Sequence, residues 1–420
     1  MAPSRRRVRS RSSSGRSFEG DAEHTATRSP PQNSRGSSND TVRGPESPDE
    51  AVGYVRNTKS NDLLIARFEL SEITESDVLT FDSKPWSACM SLRQVKAFFR
   101  HACGEDLEQD WTKDDTTIET LRSVQERYVG LLTRKFRCAL AQLFNPDGLL
   151  VDIFVSHAGS HQYRNLVMGM ETFANRFADE ASDSRSVDGR STRKKTEAED
   201  VAFWMCPLSL NQYRIKELVR DSVPLSESPF AKALERSTCC LLALDSDAKA
   251  LTRLWVVFEL LHAERIGKLV EGSAEDLREA SKSLLRIRSK NAEAEDESDV
   301  SKILQEVDQF EDPIYGRGFN AADTLVKDAV RGMLLRCFAR EGHCGDVPHA
   351  LLAGMGSEQT RVRSCRKAAE LASYYHNVDL YRLCAKTLPH SALITNMDAA
   401  GVGQLESGVQ QAAADHRVDV

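Results

Sequence analysis

The sequence of 420 residues predicts an α/β fold with a parallel sheet in its central part. Three short apolar runs, at residues 149–155, 201–206 and 239–244, have the length and composition of buried strands. Segments with helical periodicity separate these runs. Strands that alternate with helices form parallel sheets with right-handed crossovers, so the three runs are expected to lie side by side.

The region before the first strand has two parts. Residues 1–60 are rich in Ser, Arg and Pro and predict a disordered tail, because such a segment buries too little apolar surface to offset its ordering entropy. An alternative role for this tail is a phosphorylatable Arg/Ser arm. Residues 62–145 predict a helical extension, with one long helix from Thr116 that ends at Asn145. We expect this extension to pack on the next domain, and partner binding is the alternative.

The α/β domain is expected to span residues 148–338. Its predicted helices cover residues 166–177, 230–236 and 251–266, and the charged, Ser-rich segment 181–200 is expected to be an inserted loop. Residues 284–287 form a possible further strand, and helices follow near residues 300–307 and 320–338. Residues 340–397 predict a helical C-terminal segment with two short helices around His376, which is faintly similar to one ankyrin-type repeat. Residues 398–420 are expected to be disordered.

Composition argues against several classes of protein. The formal net charge of −7 is atypical of nucleic-acid binding, and no apolar run reaches the roughly 18 residues that span a membrane. The N-terminus lacks the apolar core of a secretory signal, although its early arginines leave a transit peptide open. The ten cysteines form no CxxC pair, which is typical of reduced thiols in a cytoplasmic protein. The spacing of Cys337, His343, Cys344 and His349 fits no zinc pattern, so we predict no metal site.

Polar loops directly follow the apolar runs, and ligands of open parallel sheets bind beyond the carboxyl ends of the strands. Ser156 and His157 follow the first run, and Asp245 follows the third. These side chains are therefore expected at one edge of the sheet. A loop histidine that is hydrogen-bonded to the backbone is the alternative for His157.

Glu259 is the one charged residue in the apolar segment 254–261. A helix that is apolar on all sides is buried, and a buried carboxylate costs several kcal/mol unless it is paired or neutral. Glu259 therefore either pairs with Arg253 or Arg265 or lines a cavity. Trp255 lies one turn earlier on the same face, where its ring would suit a nucleoside or would pack in the core. Motifs of P-loop enzymes, kinases, dinucleotide-binding dehydrogenases and esterases are absent from the sequence.

The order of these segments resembles the Toll/interleukin-1 receptor-like (TIR-like) family that is common in protists. Its motifs run roughly as "SHAW", "WIDxFSxNQ", "FxxAIxxS", "LDPW" and "LxRxWCxxEI", and their counterparts are residues 151–159, 203–212, 230–237, 241–248 and 251–260. The sequence Asn-Ala-Glu-Ala at 291–294, with Asp299 and Ile303, is similar to a further segment of the family. The resemblance covers residues 148–338 and implies a flavodoxin-like parallel sheet flanked by helices.

Enzymatic TIR domains cleave the nicotinamide–ribose bond of NAD through the glutamate of the last motif, whose position here is Glu259. The resemblance thus implies NAD as a candidate substrate and no cofactor, with Trp255, Ser156, His157 and Asp245 in the nucleotide pocket. It also implies self-association or binding to other TIR-like domains. The sequence departs from the motifs at several loop positions, among them Gly159 for the "SHAW" tryptophan. A catalytically inactive scaffold that acts by protein–protein association is therefore the alternative.

Overall fold

Five short strands form the central sheet of the computed structural model, which describes residues 73–103, 119–183, 197–219, 223–274, 277–294, 297–341 and 345–388. The strands are β1 (Met90–Ser91), β2 (Ile153–Ser156), β3 (Ala202–Trp204), β4 (Cys239–Leu244) and β5 (Leu269–Ala274). Their order across the sheet is β1-β3-β2-β4-β5. Strands β2 to β5 are parallel, and β1 pairs antiparallel with β3 at one edge. The prediction of an α/β fold with a mostly parallel sheet is confirmed.

Helices surround the sheet. Those before β2 are α1 (Glu75–Asp82), α2 (Leu92–Cys103), α3 (Leu121–Val124), α4 (Gly130–Thr133) and α5 (Leu140–Phe144). Those between β2 and β5 are α6 (Tyr163–Asp183), α7 (Cys206–Ser209), α8 (Ile215–Leu218), α9 (Pro229–Arg236) and α10 (Leu254–Arg265). After β5 come α11 (Leu277–Ser283), α12 (Glu297–Asp308), a hairpin of β6 (Glu311–Asp312) and β7 (Gly316–Arg317), α13 (Gly318–Glu341), α14 (Val347–Ala353), α15 (Glu358–Tyr374) and α16 (Val378–Thr387).

The two faces of the sheet belong to two different apolar cores. On β4, Cys240 and Leu242 lie in the core with α9, α10 and α13, whereas Cys239 and Leu241 lie in the core with α2, α5 and α6. Successive side chains of a strand point to opposite faces. Because both faces are covered, β4 is apolar at every position, and for this reason its sequence predicted a buried strand.

The predicted long helix from Thr116 to Asn145 is wrong. In the described part of this segment α3 leads through a π-helical stretch, Gln125–Val129, into α4, and a turn then separates α4 from α5. Arg137 in that turn has a φ of +49°, in the left-handed region that ends a helix. Leu132 before the turn and Leu140 after it lie in the same core, so the apolar periodicity continues across the break.

The predicted strand at 284–287 is also wrong, because Leu284–Arg286 forms a 3-10 helix. The outer neighbour of β4 is the edge strand β5, which the sequence analysis did not predict. Its sequence contains Glu271 and Gly272, and Gly272 allows α13 to pack closely, since a Cβ there would overlap the sulfur of Met333. An edge strand covered in this way lacks the apolar run by which buried strands are recognised.

The N-terminal extension contributes β1 to the sheet as well as helices, although the domain boundary at residue 148 stays a prediction. The two predicted disordered tails and residues 184–196 of the predicted loop lie outside the described residues. Helix α6 runs into the start of that loop. No helix in the described ranges is both long enough and apolar enough to cross a membrane.

Candidate functional site

Ser156 and Glu259 meet at the carboxyl end of β2. Ser156 is the last residue of that strand, and Glu259 lies in the middle of α10. The Ser156 hydroxyl donates a hydrogen bond of 2.5 Å to Glu259 Oε2. Glu259 is 6 % exposed, and Ser156 is fully buried. The glutamate predicted from the sequence is therefore buried at the edge of the sheet where ligands of such folds bind.

Burial raises the pKa of Glu259 to about 8, and the hydrogen bond from Ser156 offsets only part of this effect. The alternative of a salt bridge to Arg265 is wrong, because Arg265 Nη1 contacts Glu306 Oε1 at 3.0 Å. Among the described residues, Ser156 is the one hydrogen-bond partner of Glu259. The side chain is therefore mainly a neutral carboxylic acid at pH 7.

His157 lies directly after Ser156 and is also held neutral. Burial, together with the positive charges of nearby His161 and Arg253, lowers the pKa of His157 to about 4. A backbone hydrogen bond involving Ala158 acts in the opposite direction. A neutral imidazole therefore follows directly in sequence on Ser156, the hydrogen-bond partner of the protonated Glu259.

Trp255 packs in a row of aromatic rings. Its ring stacks on Phe230 with the centroids 4.6 Å apart, and Phe258 contacts it edge-on. The indole Nε1 donates a hydrogen bond of 2.9 Å to Asp299 Oδ2. The structure thus supports core packing for at least one face of Trp255. The sequence places Asp299 in a family motif but does not predict its contact with Trp255, which lies 44 residues earlier.

Asp245 shapes the turn after β4. Its Oδ1 accepts a hydrogen bond of 2.8 Å from the backbone N–H of Lys249, and Ala248 within the turn has a φ of +51°. Strands β2 and β4 are neighbours, with Ser156 in register with Leu242, so Asp245 follows β4 at the same edge of the sheet. The described hydrogen bonds join Ser156 to Glu259 but do not join Asp245 to either residue.

We compared the chain with models of protein families, with characterised proteins and with solved structures. None of the three comparisons found a match. Within the described ranges, no cluster of three or more His, Cys, Asp or Glu side chains is arranged to hold a metal ion, while His343 and Cys344 lie outside those ranges.

Proposed function

We propose that this chain is a TIR-like protein that cleaves the nicotinamide–ribose bond of NAD, with Glu259 as the catalytic carboxylate. The observation that carries the proposal is the burial of Glu259 beside Ser156 at the end of β2, without a cationic partner among the described residues. A buried acid without an ion pair destabilises a fold. Strongly perturbed acids of this kind are typical of functional sites.

The order of the parallel strands supports a flavodoxin-like TIR fold. In chain order the four strands are β2, β3, β4 and β5, and across the sheet they are arranged β3-β2-β4-β5. This is the order of the first four strands of flavodoxin-like sheets. Chain direction across such a sheet reverses between β2 and β4, and ligands bind at that point. Ser156 and Asp245 belong to these two strand ends.

The chemistry that we propose is a hydrolysis. The C1′–N bond of NAD breaks, and its electron pair goes to the cationic nicotinamide ring, which leaves as a neutral molecule. Positive charge that develops on the ribose is stabilised by the Glu259 carboxylate, as in glycosidases. A water molecule then bonds to C1′, and Glu259 accepts its proton. The products are nicotinamide and ADP-ribose.

Ionisation of Glu259 is the requirement of this mechanism. The acid is mainly protonated in the free protein, since its pKa is about 8. A cationic nicotinamide ring bound beside it would favour the carboxylate by direct charge interaction. The hydroxyl of Ser156 keeps Oε2 in one orientation. We propose that Trp255 and Asp245 border the nucleotide and that His157 contacts it as a neutral donor or acceptor.

A non-catalytic scaffold is the second candidate function. Glu259 is 6 % exposed and Trp255 is stacked on Phe230, so the site is largely closed in the isolated chain. In either case we propose self-association or binding to other TIR-like domains. We also propose a cytoplasmic location, on the basis of the free cysteines in the described part of the chain.

The test is nicotinamide release from NAD by the full-length protein, measured over a range of protein concentrations because assembly would complete a site. Glu259→Gln should abolish release, whereas Glu264→Gln on the same helix should not, since Glu264 pairs with Arg363. Release that survives Glu259→Gln would remove the proposed role of Glu259. Without release, and without thermal stabilisation by NAD or ADP-ribose, the scaffold is favoured.

A further inference from the structure

A cleft of about 330 Å³ lies where α13 and α15 meet the edge strand β5. Leu269 and Glu271 line it from β5, and Arg336 and Arg340 line it from successive turns of α13. This volume is at the lower end of the range for small-molecule sites, roughly 300–1,000 Å³. Leu269 is at the amino end of β5, and Ser156 is at the carboxyl end of the parallel strand β2. The cleft is therefore separate from the Glu259 site.

Helix α15 supplies the third wall through one of its faces. Lys367, Glu370, Leu371 and Tyr374 line the cleft, and their spacing of three and four residues places them on one side of a helix. Lys367 Nζ contacts Glu370 Oε2 at 3.0 Å, so these two charges pair at the opening. The floor of the cleft, formed by α13 and β5, thus carries charged side chains, and its wall on α15 carries both charged and apolar side chains.

The floor of the cleft is built from buried arginines. Arg336 Nε donates to Glu271 Oε1 at 3.1 Å, and Arg340 Nη1 donates to Glu271 Oε2 at 2.9 Å. Arg336 Nη2 also donates to the backbone carbonyl of Val270. Both guanidinium groups and the carboxylate are buried. Two fixed guanidinium groups therefore share one carboxylate at the floor.

A third arginine reinforces the positive charge behind this floor. Arg176 Nη2 donates to the carbonyl of Gly272 at 3.3 Å. The charges of Arg336, Arg340 and Arg176 together hold the pKa of Glu271 below its usual value despite burial. Guanidinium groups match the geometry of phosphate oxygens and bind them through paired hydrogen bonds. Because protein contacts already fix these arginines, binding would require little ordering of their side chains.

The rim of the cleft offers apolar surface. Tyr374 is 54 % exposed and Leu269 is 38 % exposed, and both are among the exposed large apolar side chains of the described residues. The Tyr374 ring meets Tyr375 edge-on, with centroids 5.0 Å apart. Exposed apolar side chains around a polar centre are typical of ligand sites. A ligand that contacts both the arginine floor and the apolar rim has an anionic group and a flat apolar group.

We propose that this cleft binds an aromatic phosphate ester, with the phosphate at Arg336 and Arg340 and the ring against Tyr374 and Leu269. The proposal is independent of NAD cleavage by Glu259. A phosphate monoester is favoured over a carboxylate because its two charges and three terminal oxygens can contact both guanidinium groups at once.

The probe is phenyl phosphate, titrated into the full-length protein and followed by calorimetry and thermal shift, with inorganic phosphate and benzoate for comparison. We expect phenyl phosphate to bind more tightly than either. Tyr374→Ala should weaken the binding of phenyl phosphate about tenfold and leave the binding of inorganic phosphate unchanged. Arg340→Lys should weaken the binding of both about tenfold or more. Arg363→Ala is the matched control, since Arg363 lies on α15 and pairs with Glu264.

If Arg340→Lys lowers the thermal stability strongly, the substitution of the exposed Tyr374 by Ala decides instead. Absence of heat and of thermal shift at millimolar phenyl phosphate would overturn the proposal. Equal affinity for benzoate would overturn the choice of a phosphate ester. Binding that none of these cleft substitutions changes would place the probe elsewhere and also overturn it. Glu259→Gln should leave phenyl phosphate binding unchanged, which separates this test from that of the proposed function.

Discussion

Replacing Glu259 by glutamine should change the pH dependence of unfolding in a way that no exposed carboxylate would. Burial raises the pKa of Glu259 from its ordinary value of 4.5 to about 8. Between these two values the folded protein holds a proton that the unfolded chain has released. The stability of the wild type is therefore lowered progressively as the pH rises from 4.5 to 8. Glutamine has no proton to release, so the variant lacks this effect.

The size of the effect follows from the two pKa values. A pKa raised from 4.5 to about 8 corresponds to about 5 kcal/mol of lost stability above pH 8. By the same relation, about 2–3 kcal/mol of this loss falls between pH 5 and pH 7. For a domain of this size, that difference equals roughly 5–10 °C in the unfolding temperature.

The measurement is urea unfolding of the full-length wild type and of Glu259→Gln at pH 5, 6, 7 and 8. The two free energies of unfolding should diverge by about 2–3 kcal/mol between pH 5 and pH 7. A constant offset is expected as well, because the new amide group also needs hydrogen-bond partners in the core. Glu306→Gln, at the half-exposed pair with Arg265, serves as the control and should run parallel to the wild type. Parallel curves for Glu259→Gln would refute the buried, protonated state.

Three further predictions concern activity and packing. If NAD is cleaved, kcat/KM should rise tenfold per pH unit up to about pH 8 and then level off, because Glu259 must be ionised in the free protein. A flat profile from pH 6 to 9 would contradict this role of Glu259. Ser156→Ala should move the midpoint of that profile to higher pH, since its hydrogen bond lowers the pKa of Glu259, and an unchanged midpoint would argue against the contact. Gly272→Ala should lower the free energy of unfolding, measured in urea, by about 1–3 kcal/mol, because the new Cβ would overlap Met333. Gly130→Ala is the control and should leave that free energy unchanged or raise it, since the nearest atom to its Cβ would be 3.8 Å away.

The sequence predicted those elements whose surroundings are uniform. Strands β2 and β4 were recognised because both of their faces are buried, so every position is apolar. Strand β5 was missed because its central carboxylate, Glu271, is neutralised by Arg336 and Arg340 on a helix far along the chain. No local sequence pattern predicts such a pairing between a strand carboxylate and distant arginines. The break before α5 was missed for the converse reason, since the apolar residues on its two sides face one core.

The candidate site was predicted in a similar, partial way. Glu259 was recognised as a lone carboxylate in an apolar helix, which is a local pattern. Its contact with Ser156 joins residues from two distant segments, and the sequence predicted only that Ser156 would lie at the same edge of the sheet. The hydrogen bond from Trp255 to Asp299 is equally distant in sequence. Contacts of this kind depend on how the helices cross the sheet, and spacing along the chain does not determine them.

The arginines along β5 have a consequence for how copies of the chain could assemble. An exposed edge strand is a template on which a second chain can add a strand of its own. Arg336 and Arg176 already donate hydrogen bonds to the carbonyl oxygens of Val270 and Gly272, respectively. Helix α13 also packs against this strand. At the opposite edge, β1 is only two residues long. Neither edge favours sheet extension, so an oligomer of this protein is expected to join through helices and to resist growth into a continuous β-fibre.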